Sequence, residues 1–199
     1  SEEVASTIML YGLSHLRLEK NVQALCVLPG MGENWRLINA IESWEKGWGR
    51  YLLIAGHDSA EKTWTSLAVE NLQLDPFNLR WMDKAHIHVD VSPEGGKNTK
   101  CQAEWLLAKV RELGISSMAL FVSPYHLLRA FCTVLKTLLK LEWPLISIIP
   151  VPVTVSPDAI IPESGINAWE SVPGELARID QYQSKGDVAT YQELRDYLS

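Results

Sequence analysis

The stretch MALFVSPYHLLRA, residues 118–130, decides how the rest of the chain is interpreted. Its first five residues form an uninterrupted apolar run, which is typical of a strand buried on both faces. Apolar residues then recur at helical spacing: Leu127, Leu128, Phe131, Val134, Leu135 and Leu138. Ser123, His126 and Arg129 are therefore expected where the strand ends and the next helix begins, which is where open α/β sheets bind ligands.

The same alternation of strand and helix patterns runs along the chain. Short apolar runs predict five strands, at 24–28, 51–55, 87–91, 118–122 and 145–155. The last run contains Pro150 and Pro152, which suits an edge strand because proline donates no ladder hydrogen bond. The pattern predicts an α/β fold, a Rossmann-like three-layer sandwich with a mostly parallel five-stranded sheet and with additional helices at both ends of the chain.

The length of 199 residues fits a single domain. We expect an N-terminal helical segment over 1–20, the α/β core over 24–155, and a loop with C-terminal helices over 156–199. Within the last segment, 157–173 is expected to be a long irregular loop that acts as a lid over the sheet edge.

Composition and charge narrow the classes of partner. The formal net charge is −6 and no long basic tract is present, which argues against a nucleic-acid surface. No apolar run reaches the length of a membrane span. Three widely spaced cysteines favour reduced thiols and a cytoplasmic location. The sequence does not indicate an oligomeric state.

The loop PGMGENWR after the first strand holds five candidate ligand-binding residues: Gly30, Gly32, Glu33, Asn34 and Arg36. Its two glycines allow the backbone to approach a ligand closely. The complete dinucleotide fingerprint G-x-G-x-x-G is absent, because Trp35 occupies the place of the last glycine. Arg36 lies in the first helical turn, where the helix dipole disfavours a cation, so an anionic ligand or a facing carboxylate would explain it.

The next two loops offer further polar candidates. His57, Asp58 and Glu61 follow the second strand and are suited to binding a ligand or transferring protons, although Asp58 is equally suited to capping a helix. Asn98 and Thr99 stand before the next helix, where they either cap it or orient polar groups of a ligand.

Two other chemistries are disfavoured by the sequence. A serine hydrolase would carry its serine in a G-x-S-x-G elbow, whereas Ser123 is followed by Pro124. His86 and His88 share one side of a strand but lack further nearby ligands, so no metal site is predicted there.

The order and spacing of these motifs resemble the YdcF/SanA/ElyC-like family, the bacterial domain of unknown function 218, from about residue 24 to the C-terminus. The family pattern combines a glycine-bearing first loop, an acidic second loop, an Asn-Thr helix start and a Tyr-His-x-x-Arg-Ala helix start. The resemblance assigns Glu61 to the second loop and Tyr125, His126 and Arg129 to the last helix start. The tail GELARI at 174–179 is also similar to the soluble YdcF-like branch.

The resemblance implies a Rossmann-like fold with a shared polar pocket. Some soluble relatives are associated with S-adenosylmethionine, and membrane-anchored relatives with envelope and peptidoglycan-precursor metabolism. This chain departs clearly from the pattern at Cys101 and Gln102, where the family usually has glutamate and asparagine. An acid–base role of that glutamate would therefore be lost or altered here. The second loop also departs, because it has His57 and Asp58 where glycine is common.

Three functions remain open at this point. The first is a small-molecule enzyme or binding protein for an anionic, nucleotide-like ligand, with S-adenosylmethionine as the candidate cofactor. Arg36 and Arg129 would then pair with phosphate or carboxylate, and His126 would donate a hydrogen bond or act as acid/base. Glu61 is the second candidate catalytic residue, and Ser123 and Tyr125 complete the candidate ligand-binding set.

The second function is a hydrolase or transferase for a phosphorylated envelope precursor or a nucleotide sugar. A metal would assist it through Asp58 and Glu61. The third is a non-catalytic interaction or sensor protein, which the altered segment at Cys101 and Gln102 motivates.

Overall fold

The computed structural model describes residues 1–17, 22–56, 69–81, 83–91 and 98–199. Five strands form one sheet: β1 Val22–Val27, β2 Gly49–Ile54, β3 Ile87–Val89, β4 Ser117–Val122 and β5 Ser147–Pro152. Every neighbouring pair is parallel, and the strand order is β3-β2-β1-β4-β5. The predicted α/β sandwich with a parallel five-stranded sheet is confirmed.

Helices alternate with these strands in the described part of the chain. They are α1 Glu2–Arg17, α2 Asn34–Glu45, α3 Thr99–Glu112, α4 Leu127–Lys140, α5 Ala168–Ser184 and α6 Tyr191–Leu198. Two short 3₁₀ segments span Val69–Gln73 and Pro124–His126. In this described part, no helix is both long enough and apolar enough to cross a membrane.

Both faces of the sheet are buried, which explains why the strands are apolar without alternation. In β1, Ala24 and Cys26 belong to one hydrophobic core, whereas Leu25 and Val27 belong to the other. The first core is completed by buried residues of α1, α3, α4, α5 and α6, and the second by residues of α2. A strand between two helical layers needs apolar side chains in both directions.

The expectation for Pro150 and Pro152 agrees with the topology, because β5 is an edge strand. Pro150 lies opposite Leu120 of β4 in the register. An edge strand leaves one row of backbone groups unpaired, so it accommodates a residue that lacks an N–H.

The prediction of an irregular loop over 157–173 is wrong at its end, because α5 begins at Ala168. The Asn167 side chain caps this helix by accepting a hydrogen bond of 2.8 Å from the Glu170 N–H. Pro173 lies inside this helix and, because it lacks a backbone N–H, donates no helical hydrogen bond. Trp64, Leu67 and Ala68 recur at helical spacing and predict a further helix over 61–72, a segment that lies mostly outside the described residues.

The parallel topology brings the beginnings of several helices to one edge. The loop after β1 leads to α2 and the loop after β4 leads to α4, so both loops leave the sheet at its carboxyl edge. The start of α3 and one side of α5 reach the same region. Residues from four distant parts of the chain therefore meet there.

Candidate functional site

A polar cavity of about 660 Å³ lies at the carboxyl edge of the sheet. It is walled by the first loop and by the starts of α3 and α4, and one side of α5 covers it. Eight predicted site residues line it: Gly30, Glu33, Arg36, Asn98, Thr99, Tyr125, His126 and Arg129. The loop edge that the sequence indicated is thus a single concave site of small-molecule size.

The remaining predicted residues are placed differently. Gly32, Asn34 and Ser123 do not line the cavity. The predictions for His57, Asp58 and Glu61 lie outside the described residues.

Four polar residues form a first group that we call the inner cluster: Glu33, Arg36, Ser123 and Tyr125. The Arg36 guanidinium donates to both carboxylate oxygens of Glu33, from Nε to Oε2 at 3.0 Å and from Nη2 to Oε1 at 2.7 Å. The hydroxyls of Ser123 and Tyr125 each donate to Glu33 Oε2 at 2.5 Å. Glu33 is therefore the facing carboxylate that explains a cation in the first turn of α2.

The inner cluster leaves Arg36 few free donors. Its Nη1 donates to the Leu28 carbonyl at 2.9 Å, and its Nε also reaches Ser123 Oγ at 2.8 Å. Ser123 accepts a further bond from Trp35 Nε1 and has no exposed surface. Because Arg36 is only 4% exposed and is paired by the protein itself, the geometry gives it a structural role, unlike the predicted pairing with a ligand.

Both glycines of the first loop make room for the protein's own atoms. A Cβ on Gly30 would lie 2.0 Å from Glu33 Oε1, so the bare backbone leaves space for the carboxylate. Gly32 has a φ of +67°, and a Cβ there would also meet the Pro162 ring at 2.8 Å. The close approach predicted for a ligand is made here by Glu33 and Pro162.

A second group, the outer cluster, consists of His126, Arg129, Glu175 and Arg178. His126 Nδ1 lies 2.7 Å from Glu175 Oε2. Arg129 donates to both oxygens of the same carboxylate, from Nε at 2.7 Å and from Nη2 at 3.1 Å. Arg178 Nη1 adds a bond of 2.7 Å to Oε1. One carboxylate from α5 therefore holds three side chains.

His126 keeps one ring nitrogen available to the cavity. Its side chain is 6% exposed, and no described residue hydrogen-bonds its Nε2. Burial lowers its pKa to about 4; the positive charge of Arg129 acts in the same direction, and Glu175 opposes both. The imidazole is therefore neutral near pH 7.

Glu175 is ionised although it is buried. Burial by itself would raise the pKa of the carboxyl, but the hydrogen bonds from His126 and Arg129 and the positive charge of Arg129 outweigh it and hold the pKa below its ordinary value. This ionised carboxylate lies against a neutral imidazole and a guanidinium, which is the arrangement that orients histidines used in acid–base chemistry.

The start of α3 closes the third side of the cavity. Asn98 caps this helix, because its side chain accepts a bond of 3.0 Å from the Cys101 N–H. Thr99 Oγ1 accepts a long bond of 3.3 Å from Arg129 Nη1. Gln102, one of the departures from the family pattern, donates from Nε2 to the Pro29 carbonyl at 3.0 Å and ties α3 to the first loop.

Sequence reasoning missed Glu175, although it anchors the outer cluster. Its partners His126 and Arg129 precede it by 49 and 46 residues, so no local spacing connects them. The one available signal was the tail GELARI, in which an acidic residue stands three positions before Arg178.

The structure also bears on the disfavoured chemistries. Ser123 is bound to Glu33 and not to His126, and its burial removes it from the reach of a substrate. Among the described residues, no three His, Cys, Asp or Glu side chains are placed to hold a metal ion. His86 is held by Asp83 at Nδ1 and by Arg50 at Nε2.

Comparison with protein-family models, curated proteins and solved structures gave no match. The fold and site define a class: an α/β protein whose parallel sheet carries a polar cavity at its carboxyl edge. The resemblance to the YdcF-like family rests on the sequence motifs.

Proposed function

We propose that the cavity binds an anionic, nucleotide-like small molecule and that His126 acts on it as an acid–base group. The observation that carries the proposal is the buried His126 ring, which lines the cavity beside Arg129 and whose Nε2 is hydrogen-bonded by no described residue. A desolvated, oriented imidazole is costly to maintain for packing alone and is suited to proton transfer.

The outer cluster is where the anion binds. Two nitrogens of Arg129 donate to Glu175, whereas among the described residues its Nη1 makes only the long bond to Thr99. The side chains of Arg178 and Lys100 are 53% and 45% exposed at the same cavity. The first turn of α3 adds backbone N–H groups and the positive end of a helix dipole.

The charges of the lining favour a ligand with mixed character. Four cationic side chains face the cavity together with five carboxylates: Arg36, Arg129, Arg178 and Lys100 against Glu33, Glu163, Glu170, Glu175 and Asp187. Such a balanced lining suits a ligand that carries an ammonium or several hydroxyls beside its anionic group better than it suits a polyphosphate. S-adenosylmethionine has this character and is the candidate we test first.

A hydrolase or transferase for a phosphorylated envelope precursor or nucleotide sugar is the second candidate. It is favoured by neutral His126, which lines the cavity together with Arg129. In that reaction the imidazole would take a proton from an attacking hydroxyl or water while the arginines hold the phosphoryl oxygens.

Thermal-shift titration with S-adenosylmethionine, nucleotides and sugar nucleotides tests both candidates. A ligand that binds the folded state raises the midpoint of unfolding by mass action. We expect Arg129→Ala to weaken binding about 10–100-fold, the worth of a charged hydrogen bond. Arg80→Ala is the matched control, since Arg80 is exposed and does not line the cavity.

The ligand-induced shift is compared within each variant, because Arg129→Ala also removes a partner of Glu175 and lowers the baseline midpoint. Equal affinity of wild type and Arg129→Ala would sink the assignment of the anion site. No shift with any compound would favour the interaction or sensor protein.

The proposal extends to membership of the YdcF-like branch and to a cytoplasmic location. The parallel sheet and the cavity at the Tyr-His-x-x-Arg helix start support the first. The three cysteines are free, which supports the second. Burial raises the thiol pKa of Cys132 to about 12, so this cysteine is a core residue and not a nucleophile.

A further inference from the structure

The hydrogen bonds of the outer cluster determine which nitrogen of His126 carries the proton. Glu175 Oε2 lies 2.7 Å from Nδ1, and an ionised carboxylate only accepts hydrogen bonds. Nδ1 must therefore be the donor in a neutral ring. The proton is then absent from Nε2, the nitrogen without a protein partner among the described residues.

Glu175 is kept in the accepting state by its other partners. Arg129 donates to both of its oxygens, and Arg178 donates to Oε1. Guanidinium groups have no acceptor and do not lose their protons in proteins. A proton on Glu175 would lie against these N–H donors and weaken their hydrogen bonds. Glu175 therefore stays ionised, and the proton stays on the imidazole.

We propose that Glu175 is a positioning residue that fixes His126 with its proton on Nδ1, and that the cavity in consequence selects anionic ligands that carry an O–H group for Nε2 to accept. The inference rests on the proposed function for its anion site. It names the class of ligand more closely: a phosphomonoester monoanion, or a carboxylate with an adjacent hydroxyl.

The physical reason is the direction of the hydrogen bond at Nε2. An O–H group donates to the lone pair, whereas an anion of the same shape without a proton places its own lone pairs against it. A proton that leaves this O–H passes to Nε2, and the resulting imidazolium keeps its Nδ1–H bond to the Glu175 carboxylate. The same tautomer then accounts both for Nε2 acting as a base and for the preference for ligands that carry an O–H group.

The first test is ¹⁵N NMR of histidine-labelled, ligand-free protein, with the His126 signals assigned through His126→Gln. We expect Nδ1 to give the signal of a protonated ring nitrogen and Nε2 that of a bare one. Glu175→Gln keeps the side-chain size but loses the charge, so it should populate the other tautomer. Asp180→Asn removes an exposed carboxylate of the same helix that does not line the cavity, and it should leave the tautomer unchanged.

The second test compares inorganic phosphate with sulfate, two anions of the same shape. At about pH 6 most phosphate is the dihydrogen ion, which carries O–H groups, whereas sulfate carries none. We expect wild-type protein to bind phosphate about 5–10-fold more tightly, the worth of one hydrogen bond. The preference should disappear in Glu175→Gln and persist in Asp180→Asn.

The outcomes separate this inference from the proposed function. A proton on Nε2 in the wild type, or equal affinity for phosphate and sulfate, would overturn the inference even where an anion binds. Failure of both anions to bind would overturn the anion site and the selectivity together. The tautomer is measured without ligand, so it would still report on the role of Glu175.

Discussion

The inner and outer clusters are built from similar residues at the same sheet edge, yet their atoms are used differently. Each pairs a glutamate with an arginine in two hydrogen bonds, Glu33 with Arg36 and Glu175 with Arg129. The inner pair is closed by Ser123 and a backbone carbonyl. In the outer cluster, a ring nitrogen of the neighbouring histidine is left facing the cavity.

The comparison of the two clusters shows how a structural ion pair differs from a functional one. A buried charge is tolerated when the protein pairs it and hydrogen-bonds its polar atoms, and the inner cluster pairs Arg36 with Glu33 and with a backbone carbonyl. A buried polar atom that is left over costs stability and marks the place where a ligand completes the network. The inner cluster therefore holds the first loop in place, and the outer cluster faces the cavity.

The largest effect we expect is the loss of the inner carboxylate. Glu33→Ala leaves the Arg36 charge buried and unpaired, so the free energy of unfolding should fall by about 3–5 kcal/mol in urea denaturation. Glu42→Ala is the control from the same helix; its pair with Lys46 is exposed at 4.0 Å and should contribute almost nothing. Similar losses in the two variants would show that the inner cluster is not a structural pair.

The second-largest effect we expect is a loss of stability in acid, which arises from His126 in the outer cluster. Burial and Arg129 lower the His126 pKa from an ordinary 6.5 to about 4, so between these values the unfolded chain binds a proton that the folded protein does not. The contribution of neutral His126 to the free energy of unfolding is therefore present above pH 6.5 and is lost as the pH falls toward 4. Wild-type protein should lose about 2 kcal/mol between pH 7 and pH 5 through His126.

His126→Gln removes that titration, so its free energy of unfolding should change less between the two pH values by about the same amount. The measurement is urea denaturation of both proteins at each pH. If their pH dependences are the same, His126 is not held neutral by the fold.

The smallest effect concerns two glycines near the two clusters. Gly30→Ala places a methyl group onto Glu33 Oε1 and should cost about 1–3 kcal/mol by overpacking. Gly174→Ala meets no heavy atom within 4 Å and lies inside α5, so helix propensity should stabilise the protein by about 0.5–1 kcal/mol. Thermal denaturation of the two variants checks that Gly30→Ala lowers the midpoint of unfolding and that Gly174→Ala raises it. A neutral Gly30→Ala would mean that the inner carboxylate has room to move.

The sequence predicted the fold well because its signals are local. The uninterrupted apolar runs of β1 and β4 indicate strands buried on two faces, and the helical periodicity between strands indicates parallel crossovers. The least accurate prediction concerns the end of the long loop: the sequence pattern places it at Pro173, whereas α5 begins at Ala168. Asn167 caps the helix ahead of the proline, and the helix packs on the core through Ile179.

The candidate site was predicted in part for the same reason. His126 and Arg129 are three residues apart, as are Glu33 and Arg36, so helix geometry alone brings each pair together. What the spacing could not show is which partner each group takes. In the structure Arg36 contacts Glu33, and Glu33 and Pro162 lie against the two glycines of the first loop.

The amino-acid sequence by itself therefore determined the parallel sheet, the edge at which its loops meet, and the presence of His126 and Arg129 at that edge. These follow from periodicity and from spacing within one helix. Tertiary structure alone decided that Ser123 closes the inner cluster and that Glu175 anchors the outer one, because both contacts join segments 46–90 residues apart. Hydrogen bonds over such separations depend on how helices pack on the sheet, and no local pattern records that.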